Sequence, residues 1–281
     1  MELLDGKIVK QKVLEEVKGL TEGLDERLGL AVVQVGEDEA SKVYVRQKEK
    51  MANELNYNFV HTKLSEDVSQ EELLKVIDEL NSDDHIHGIL VQMPIPKHLD
   101  SKLVQNRIYS YKDVDGLTDV NAGILTHGKD GLVPCTPQGI VDLLKYYNIP
   151  IEGKNVTIIG RSDLVGKPLA SLMTNNNATV TLCHSKTKNL KLFTQNADIL
   201  VVAVGKAKLI KSDYIKEGAV IVDVGINRME DGKLCGDVDF DDVKDKVSYI
   251  TPVPGGVGQM TVAELAKNTY KAYTLKKALK S

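Results

Sequence analysis

The sequence predicts an α/β fold made of two domains, each a mainly parallel sheet flanked by helices. Short runs of apolar, mostly β-branched residues alternate along the chain with segments whose apolar residues recur at helical spacing. Strands that are apolar on both faces are typical of parallel sheets covered by helices on both sides. The predicted strands, in chain order, are residues 30–35, 86–91, 156–159, 179–182, 199–204 and 220–224.

The break between the two predicted domains lies near residue 120. Few strand signals occur between Pro94 and about Pro134, and a new series of strands and helices begins after residue 154. The last helix, from about residue 262, can pack back on the first half of the chain. We therefore expect residues 1–120 with 262–281 to form the first domain and residues 121–261 to form the second.

The composition and charge of the chain argue against several classes of function. Its 281 residues carry a net charge of −4 with scattered basic residues, which gives no sign of a nucleic-acid or membrane partner. The cysteines stand far apart, which argues against a disulfide framework or a structural zinc site and favours small buried side chains. The N-terminus has no apolar signal core, and the longest apolar run, 199–204, is too short to span a bilayer. We expect a cytosolic protein. The three cysteines are Cys135, Cys183 and Cys235.

One face of a predicted helix over residues 38–55 carries three groups that can handle a ligand. Ser41, Tyr44 and Lys48 fall within an arc of about 100° at helical spacing, shortly after a strand ends. A hydroxyl, a phenol and an amine on one face are typical of the wall of a site. The alternative is an ordinary solvated face, because exposed tyrosine and lysine side chains are common.

Two further segments of the first half carry polar side chains that could belong to a site. Gln92 follows a predicted strand and precedes two prolines, so its amide would be held in place; turn-forming residues are the alternative. Asp113 and Asp115, in Lys112-Asp-Val-Asp-Gly, are spaced for a metal, but aspartate before glycine usually marks a turn. The neighbouring sequence offers no histidine or third carboxylate, so we predict no metal site.

The second half opens with a strand-to-helix turn that predicts a Rossmann-type dinucleotide-binding domain. A buried strand leads into Gly160 and a helix starts near Gly166, and such a turn places phosphate groups against the free N–H groups of a helix N-terminus. Ser162 occupies the second-glycine position of the usual spacing, so the prediction depends on the context of strand, turn, helix and second strand. Residues 203–205 and 223–227 end later strands with glycine at the same carboxyl edge.

The end of the second strand of this domain predicts NADP rather than NAD as the cofactor. An NAD site usually carries an acid there, whereas residues 182–188 contain no acid and two lysines, Lys186 and Lys188. Together with Arg161 in the preceding turn they suit a 2′-phosphate, which a guanidinium group binds as a fork. Ordinary exposed polar residues are the alternative, and they explain the lysines better than they explain Arg161. We expect His184 to be an ordinary polar residue at the strand end.

Residues 251–261, Thr-Pro-Val-Pro-Gly-Gly-Val-Gly-Gln-Met-Thr, hold two prolines and three glycines between a predicted strand and the last predicted helix. Proline fixes the backbone, and glycine lets a backbone approach a ligand closely. A tight strand-to-helix turn is the alternative, and it accounts for Gly-Gly alone but not for the whole string. We interpret the segment as a ligand-binding loop.

The motifs occur in a recognisable order along the chain. They are Ser41-x-x-Tyr44-x-x-x-Lys48, Val91-Gln-Met-Pro-Ile-Pro, Lys112-Asp-Val-Asp-Gly, Pro134-Cys-Thr-Pro-x-Gly139, Gly160-Arg-Ser with Val165-Gly-Lys-Pro, Asp223-Val-Gly-Ile-Asn, Gly236-Asp-Val and Thr251–Thr261. In this set the chain closely resembles the bifunctional methylenetetrahydrofolate dehydrogenase/methenyltetrahydrofolate cyclohydrolase family over nearly its whole length. The resemblance implies NADP-dependent oxidation of 5,10-methylenetetrahydrofolate, then hydrolysis of the methenyl product to 10-formyltetrahydrofolate. It also implies a homodimer in one-carbon metabolism and in purine, methionine and histidine biosynthesis.

The resemblance further implies roles for individual residues. Lys48 looks like the catalytic lysine of the family, and Tyr44 looks like its stacking neighbour over the folate. Gln92 would hydrogen-bond Lys48, and Asp115 resembles the carboxylate that binds the pterin ring. The implied substrate contacts are Ser41, Val91, Met93, Pro252, Pro254, Gly255, Gly256 and Thr261. The implied cofactor contacts are Gly160, Arg161, Ser162, Gly166, Ser185, Ala203, Gly205 and Ile226.

Two residues in these motifs depart from the family pattern. Gln259 stands where proline is usual, which predicts a less rigid loop. Met93 replaces the common leucine, and this swap conserves volume. Neither is a proposed catalytic residue.

Two other functions are open as alternatives. A two-domain NADP dehydrogenase of the shikimate-dehydrogenase kind would share the architecture without requiring Lys48, Gln92 and the 251–261 loop together. A cofactor-sensing binding module would keep the dinucleotide turn and would need no chemical groups in the first half. An assay with 5,10-methylenetetrahydrofolate and NADP separates all three.

Overall fold

The computed structural model describes residues 1–280, which divide into two compact units. The six-stranded unit comprises Met1–Gln11 and Thr136–Thr261, and the three-stranded unit comprises Lys12–Cys135 and the residues from Val262 onward. Each unit has a mainly parallel sheet together with helices, which confirms the predicted fold class. Ser281, the last residue of the predicted first domain, lies outside the described residues.

Strands and helices alternate along most of the chain. The strands are β1 (Glu2–Leu3), β2 (Gly29–Val35), β3 (Asn58–Leu64), β4 (Gly88–Val91), β5 (Asn155–Ile159), β6 (Thr179–Cys183), β7 (Ile199–Val202), β8 (Val220–Asp223), β9 (Asn227–Arg228), β10 (Leu234–Cys235) and β11 (Tyr249–Ile250). The helices are α1 (Gly6–Thr21), α2 (Glu39–Glu54), α3 (Gln70–Ser82), α4 (Ser101–Arg107), α5 (Asp119–Thr126), α6 (Cys135–Tyr146), α7 (Gly166–Asn175), α8 (Leu190–Thr194), α9 (Phe240–Val243) and α10 (Val257–Lys280). Within residues 1–280, none of the helices has both the length and the apolar character that crossing a membrane requires.

The sheet of the three-stranded unit has β2 at its centre. Its order is β3-β2-β4, both strand pairs are parallel, and every residue of β2 and β4 is buried. Burial on both faces explains why the apolar pattern predicts these two strands. The pattern misses β3, because most of its residues are only half-buried and four of its seven residues, in Asn-Phe-Val-His-Thr-Lys-Leu, are polar.

The sheet of the six-stranded unit has the order β1-β11-β8-β7-β5-β6, and all of its strand pairs are parallel. The four predicted strands of the second half are β5, β6, β7 and β8. Two of them end before the predicted residue, at Val202 and Asp223. A further strand, predicted over residues 247–250 just before the 251–261 loop, corresponds to β11. The pattern misses β1 and the antiparallel pair β9–β10, because two-residue strands carry too little periodicity. The carboxyl ends of β5, β7 and β8 share one edge of the sheet.

The division between the units differs from the predicted domain boundaries. The prediction places residues 1–11 in the first domain and a boundary near residue 120, whereas the three-stranded unit runs from Lys12 to Cys135. The first residues lie with the six-stranded unit because β1 pairs with β11. The backbone N–H of Glu2 donates to the carbonyl of Ser248 (2.8 Å), and that of Leu4 donates to Ile250 (2.9 Å).

His87 is a buried histidine of the three-stranded unit. Its Nδ1 accepts a hydrogen bond from the backbone N–H of Gly29 (2.9 Å), and its ring packs edge-on against Tyr273. Burial lowers the pKa of His87 to about 4, against the opposing charge of Glu26. The folded chain therefore holds this ring neutral at pH values where the unfolded chain protonates it.

We expect this histidine to make the fold less stable in acid. An ordinary histidine binds its proton near pH 6.5, so the stabilisation is complete above that value and is lost as the pH falls toward about 4. The free energy of unfolding should drop by about 2 kcal/mol between pH 7.5 and pH 5 on account of this group. Urea unfolding at both pH values measures the change. His87→Asn keeps an acceptor for Gly29 and should lose this part of the pH dependence; an unchanged dependence would contradict the assignment.

Candidate active site

Helix α2 positions the three groups predicted on its face. The carboxylate of Asp38 accepts a hydrogen bond from the backbone N–H of Ser41 (2.8 Å), which fixes the start of the helix. Ser41 and Lys48 are buried, with exposed fractions of 3% and 9%, whereas Tyr44 is 43% exposed. The alternative of a solvated face is therefore wrong for Ser41 and Lys48. The Oγ of Ser41 has no hydrogen-bond partner among the described residues, so its hydroxyl is available to a ligand.

The side chain of Gln92 holds the amine of Lys48. Lys48 Nζ donates a hydrogen bond to Gln92 Oε1 (2.7 Å), the contact that the resemblance implies. Gln92 follows β4 directly, and its Nε2 donates to the carbonyl of Met93 (2.7 Å). Its backbone N–H donates to the carbonyl of Val33 in β2 (2.8 Å). Because the amide nitrogen is already engaged, the oxygen faces Lys48 and fixes the position of the amine.

The charges of Lys48 and Asp115 are both disfavoured by burial. Burial lowers the pKa of Lys48, while the nearby Asp115 and Cys135 oppose that shift. Burial also raises the pKa of Asp115, against the opposing effect of Lys48, and the Asp113 carboxylate raises it further. Both shifts favour the neutral forms, so a larger fraction of the Lys48 amine is unprotonated and able to accept a proton at neutral pH than for a lysine in water.

The three charged residues of Lys112-Asp-Val-Asp-Gly have different surroundings. The ammonium of Lys112 donates to three carbonyls at the end of α3, those of Leu80 (3.1 Å), Asn81 (2.7 Å) and Asp83 (2.8 Å). The carboxylate of Asp113 accepts from Thr118 N–H and Asn121 Nδ2 at 2.8 and 2.9 Å. The charge of Asp115 opposes the lowering of the Lys48 pKa, so this residue of the motif belongs to the surroundings of the amine. Within the part of the chain that the structure describes, no group of three or more His, Cys, Asp or Glu side chains could hold a metal ion.

Lys112→Met should lower the free energy of unfolding by about 2 kcal/mol. The change leaves three carbonyls at a helix end without their donor, which costs stability. It also removes the desolvation penalty of a buried charge, and this gain offsets part of the cost. Chemical denaturation measures the effect. Lys75→Met, at an exposed lysine of the same helix, is the matched control and should change stability by less than about 0.5 kcal/mol. A Lys112→Met protein as stable as the wild type would refute the capping role.

Cys135 and Asn268 belong to the surroundings of Lys48 and Asp115, and sequence reasoning missed both. The thiol of Cys135 is buried and donates to the carbonyl of Val114 (3.3 Å). Asn268 Nδ2 donates to the same carbonyl (2.9 Å) and to that of Val133 (2.8 Å), so it joins the segments that carry Asp115 and Cys135. Burial raises the pKa of Cys135 well above its ordinary value, so the thiol stays protonated. The position of Cys135 inside Pro134-Cys-Thr-Pro was the signal that could have found it.

The predicted phosphate-binding turn lies between β5 and α7 in the six-stranded unit. Gly160 has a φ of +124°, and a side chain there would collide with the carbonyl of Ala203. Gly166 is the first residue of α7, whose N-terminus receives no side-chain capping bond. The hydroxyl of Ser162 accepts a hydrogen bond from the backbone N–H of Val165 (3.2 Å) and orders the turn. The N–H groups of Val165 and Lys167 already donate to Ser162 and Pro168 has none, so the helix dipole is the main feature of this helix start that suits an anion.

Arg161 and Ser185 follow the ends of the adjacent strands β5 and β6. Ile159 pairs with Cys183, and the backbone N–H of Gly160 donates to the carbonyl of Cys183 (2.9 Å). Arg161 and Ser185 each come two residues after these paired positions, and both are exposed. The strand ends therefore bring an arginine and a hydroxyl to the same edge of the sheet.

His184 and the two lysines after it lie in a turn beyond β6. His184 N–H donates to Thr187 Oγ1 (2.9 Å), and the N–H of Lys186 donates to His184 Nδ1 (3.1 Å). These bonds engage His184 within the turn itself, as expected of a polar strand-end residue. Lys186 and Lys188 are exposed.

The remaining predicted cofactor residues follow β7 and β8 at that edge. Ala203 comes directly after β7, and Gly205 follows two residues later. Ile226, which is 48% exposed, comes three residues after the end of β8. The backbone N–H of Ala203 donates to Ile159 (2.8 Å), which ties this segment to the end of β5. The structure thus brings the predicted cofactor residues to one edge of one sheet.

The predicted ligand loop is shorter than expected, because α10 begins at Val257 and not near residue 262. Residues after Gly256 are compatible with a helix, and the N–H of Gln259 donates to the carbonyl of Gly256 (3.1 Å). The hydroxyl of Thr251 accepts from Asp223 N–H (2.7 Å) and anchors the start of the loop. Pro252, Pro254, Gly255 and Gly256 lie in the loop, whereas Thr261 lies in the helix and its Oγ1 bonds Thr136 Oγ1 (3.1 Å).

Comparisons with known proteins match both parts of the chain. Residues 4–115 match the model of the tetrahydrofolate dehydrogenase/cyclohydrolase catalytic domain, and residues 134–277 match the model of the NAD(P)-binding domain of that family. The Bifunctional protein FolD of Campylobacter concisus is 56% identical over 276 residues, which cover 97% of each chain.

Solved structures agree in fold over the same length. The crystal structure of the bifunctional enzyme FolD, methylenetetrahydrofolate dehydrogenase/cyclohydrolase, from Campylobacter jejuni matches with a TM-score of 0.96 and 48% identity, covering 98% of this chain and 99% of that one. The Trypanosoma brucei enzyme, solved with NADP cofactor and an inhibitor, matches with a TM-score of 0.90 and 35% identity, covering 99% and 98%.

Proposed function

Because this chain belongs to the tetrahydrofolate dehydrogenase/cyclohydrolase family, we propose an assignment of its two reactions to the residues described above. The chain oxidises 5,10-methylenetetrahydrofolate with NADP, and it hydrolyses the 5,10-methenyl product to 10-formyltetrahydrofolate. Family membership removes the shikimate-dehydrogenase kind of enzyme and the cofactor-sensing module as alternatives. The observation that carries the assignment is the buried Lys48 amine bonded to an anchored Gln92.

The folate is bound by polar groups around Lys48. The carboxyl of Asp115 pairs with the row of N–H donors on the pterin ring, and the Ser41 hydroxyl supplies a further hydrogen bond. The exposed ring of Tyr44 stacks on the folate, because an aromatic face is the surface a flat heterocycle packs against. Val91 and Met93, on either side of Gln92, supply apolar contacts.

Lys48 handles a proton in the hydrolytic step. Water adds to the cationic methenyl carbon, and the addition needs a group that takes one proton from the water. The hydroxyl of the adduct then loses its remaining proton as the carbon–oxygen double bond forms, and the bond from that carbon to the ring nitrogen N5 breaks. Of the two protons that water brought, one ends on N5 and one leaves to solvent, and the formyl group stays on N10. An amine whose pKa is lowered by burial can accept the proton near neutral pH, and Gln92 keeps it in place.

The oxidative step needs proximity and orientation more than acid–base chemistry. A hydride passes from the methylene carbon to the nicotinamide ring, so the two rings must be held face to face. The loop with Pro252, Pro254, Gly255 and Gly256, together with Thr261, borders both ligands in this proposal. Two prolines in such a short loop limit its motion.

NADP is bound along the edge formed by the ends of β5, β6, β7 and β8. The diphosphate lies against Gly160, Ser162 and Gly166 at the start of α7, where the helix dipole favours an anion. Arg161 and Ser185 bind the 2′-phosphate, which selects NADP over NAD. Ala203, Gly205 and Ile226 contact the nicotinamide half of the cofactor.

A single optical assay tests the assigned reactions. We expect the purified chain, given 5,10-methylenetetrahydrofolate and NADP, to form reduced cofactor and then 10-formyltetrahydrofolate. Absorbance separates reduced cofactor from the methenyl intermediate. Reduced cofactor without loss of added methenyltetrahydrofolate would contradict the second activity, and no reduced cofactor would contradict the first.

The finer features of the resemblance also belong to this proposal. We propose that the chain is a cytosolic homodimer, without a nucleic-acid or membrane partner, and that its products serve purine, methionine and histidine biosynthesis. Light scattering tests the oligomeric state, and a mass equal to one chain at assay concentrations would refute the homodimer.

A further inference from the structure

Two buried aspartates lie among the loops at the cofactor edge of the six-stranded unit. Asp223 is the last residue of β8, and Asp237 follows β10 by two positions. Their exposed fractions are 4% and 0%. Neither has a role in the two reactions as described above, although a buried carboxylate is costly unless it is fully hydrogen-bonded.

The carboxylate of Asp237 accepts hydrogen bonds from four donors in two segments, the residues after β7 and the start of β9. Its Oδ2 accepts from the backbone N–H groups of Val204 (2.7 Å) and Gly205 (2.9 Å). Its Oδ1 accepts from the N–H of Lys206 (2.8 Å) and from Asn227 Nδ2 (2.9 Å). Three consecutive backbone amides therefore point at one carboxylate, which fixes the path of the chain after β7.

The carboxylate of Asp223 holds the backbone on which Asp237 lies. Its Oδ1 accepts from the N–H groups of Gly225 and Asp237 (both 2.9 Å), and its Oδ2 accepts from Val238 N–H (2.8 Å). A side chain at Gly225 would collide with Asp237 Oδ1, so the glycine makes room for the second carboxylate. Burial raises the pKa of Asp223 to about 6, although the three N–H bonds oppose that rise.

We propose that Asp237 is a positioning residue for NADP, an inference that rests on the proposed function. Its carboxylate holds residues 204–206 and Asn227 in the arrangement that the cofactor meets, and these residues adjoin the proposed contacts Ala203 and Ile226. A loop ordered before binding spares the cofactor the entropy cost of ordering it. Asparagine in place of Asp237 offers one acceptor oxygen and turns an NH₂ group toward backbone N–H donors.

Asp237→Asn should raise the NADP dissociation constant and KM by about 10- to 100-fold, the effect of losing charge-assisted hydrogen bonds. At saturating NADP the kcat of oxidation should change by less than about 3-fold, and so should the hydrolysis of added 5,10-methenyltetrahydrofolate, which needs no cofactor. Fluorescence titration with NADP and steady-state kinetics supply these values. Binding of NADP within about 2-fold of the wild type by the folded variant would overturn the proposal.

Asp198→Asn is the matched control at the opposite end of the same strand. Asp198 lies just before β7, and its carboxylate accepts from Asn155 N–H (2.9 Å) and from Lys216 Nζ (2.6 Å). We expect this change to lower the thermal midpoint while leaving the NADP dissociation constant within about 2-fold. An equal loss of NADP affinity in both variants would assign the effect to general destabilisation and overturn the proposal.

A second variant tests the positioning role of Asp237 if Asp237→Asn does not fold. Asn227→Ala removes one of the four donors and leaves the buried carboxylate in place, and it should raise the NADP dissociation constant by about 3- to 10-fold. An unchanged constant would refute the positioning role. Failure of the proposed function is distinguishable, because it would show as a wild-type chain without either activity.

Discussion

Lys48→Met is expected to slow the hydrolysis of 5,10-methenyltetrahydrofolate by about 10²–10⁴-fold, the usual contribution of a general acid–base group. Methionine has a similar length and no basic nitrogen, so it removes the proton acceptor with little change in volume. Oxidation of 5,10-methylenetetrahydrofolate should fall less, because hydride transfer does not require a proton on this residue. Initial rates of both half-reactions, measured separately, give the two losses.

Lys50→Met is the matched control for this prediction. Lys50 lies two residues farther along the same helix, is exposed, and has Glu54 at 3.8 Å as its ionic neighbour. We expect the control to keep both activities within about 2-fold of the wild type, because exposed ion pairs contribute little. Equal losses of the two activities in Lys48→Met, with folate affinity unchanged, would count against separate requirements for the two steps.

The hydrolytic rate should also depend on the pKa of Lys48. Burial lowers that pKa, so the neutral amine becomes available at a lower pH than an ordinary lysine would allow. Gln92 contributes by fixing the amine, and the partly opposing charge of Asp115 limits the shift. The position of the rate's rise with pH therefore reports on the surroundings of Lys48.

Arg161→Ala is expected to raise the KM for NADP by about 10- to 100-fold while leaving the KM for NAD within about 3-fold. The guanidinium group binds a 2′-phosphate through charge-assisted hydrogen bonds, and NAD has no such phosphate. Arg161 is exposed, so water screens part of this interaction. We therefore expect the increase in the KM for NADP to be nearer 10-fold than 100-fold. Steady-state kinetics with each cofactor measure the two constants.

Lys244→Ala separates this specific contact from a general effect of charge. Lys244 follows α9 in the same unit, with Asp241 as its exposed ionic neighbour at 3.4 Å. Its removal changes the net charge by the same amount and should leave both constants within about 2-fold. Parallel increases in the KM for NADP and for NAD in Arg161→Ala would refute the 2′-phosphate assignment.

The fold class was predictable because the central strands are apolar on both faces. Strands β2, β4, β7 and β8 are fully buried, so their composition alone indicates a parallel sheet. Strand β1 was missed, because a two-residue strand depends on pairing with a distant segment, which here is β11. Because of this pairing, the first residues of the chain belong to the six-stranded unit, and no local sequence pattern predicts that.

The candidate site was predictable where its residues share one short segment. Ser41, Tyr44 and Lys48 stand on one helix face, and Gln92 stands at a strand end. The residues that were missed act across long separations in sequence: Asn268 bonds Val114, which is 154 residues away. Asn268 stands among polar residues such as Lys267 and Thr269, so no local pattern marked it. Its partners could be identified only from the structure.

Product analysis of Lys48→Met tests the central claim most directly. The variant is incubated with 5,10-methylenetetrahydrofolate and excess NADP, and the methenyl compound, 10-formyltetrahydrofolate and reduced cofactor are followed together. We predict that reduced cofactor and the methenyl compound accumulate in nearly equal amounts, with 10-formyltetrahydrofolate forming about 10²–10⁴-fold more slowly than with the wild type. Formation of 10-formyltetrahydrofolate at the wild-type rate would contradict the role of the Lys48 amine.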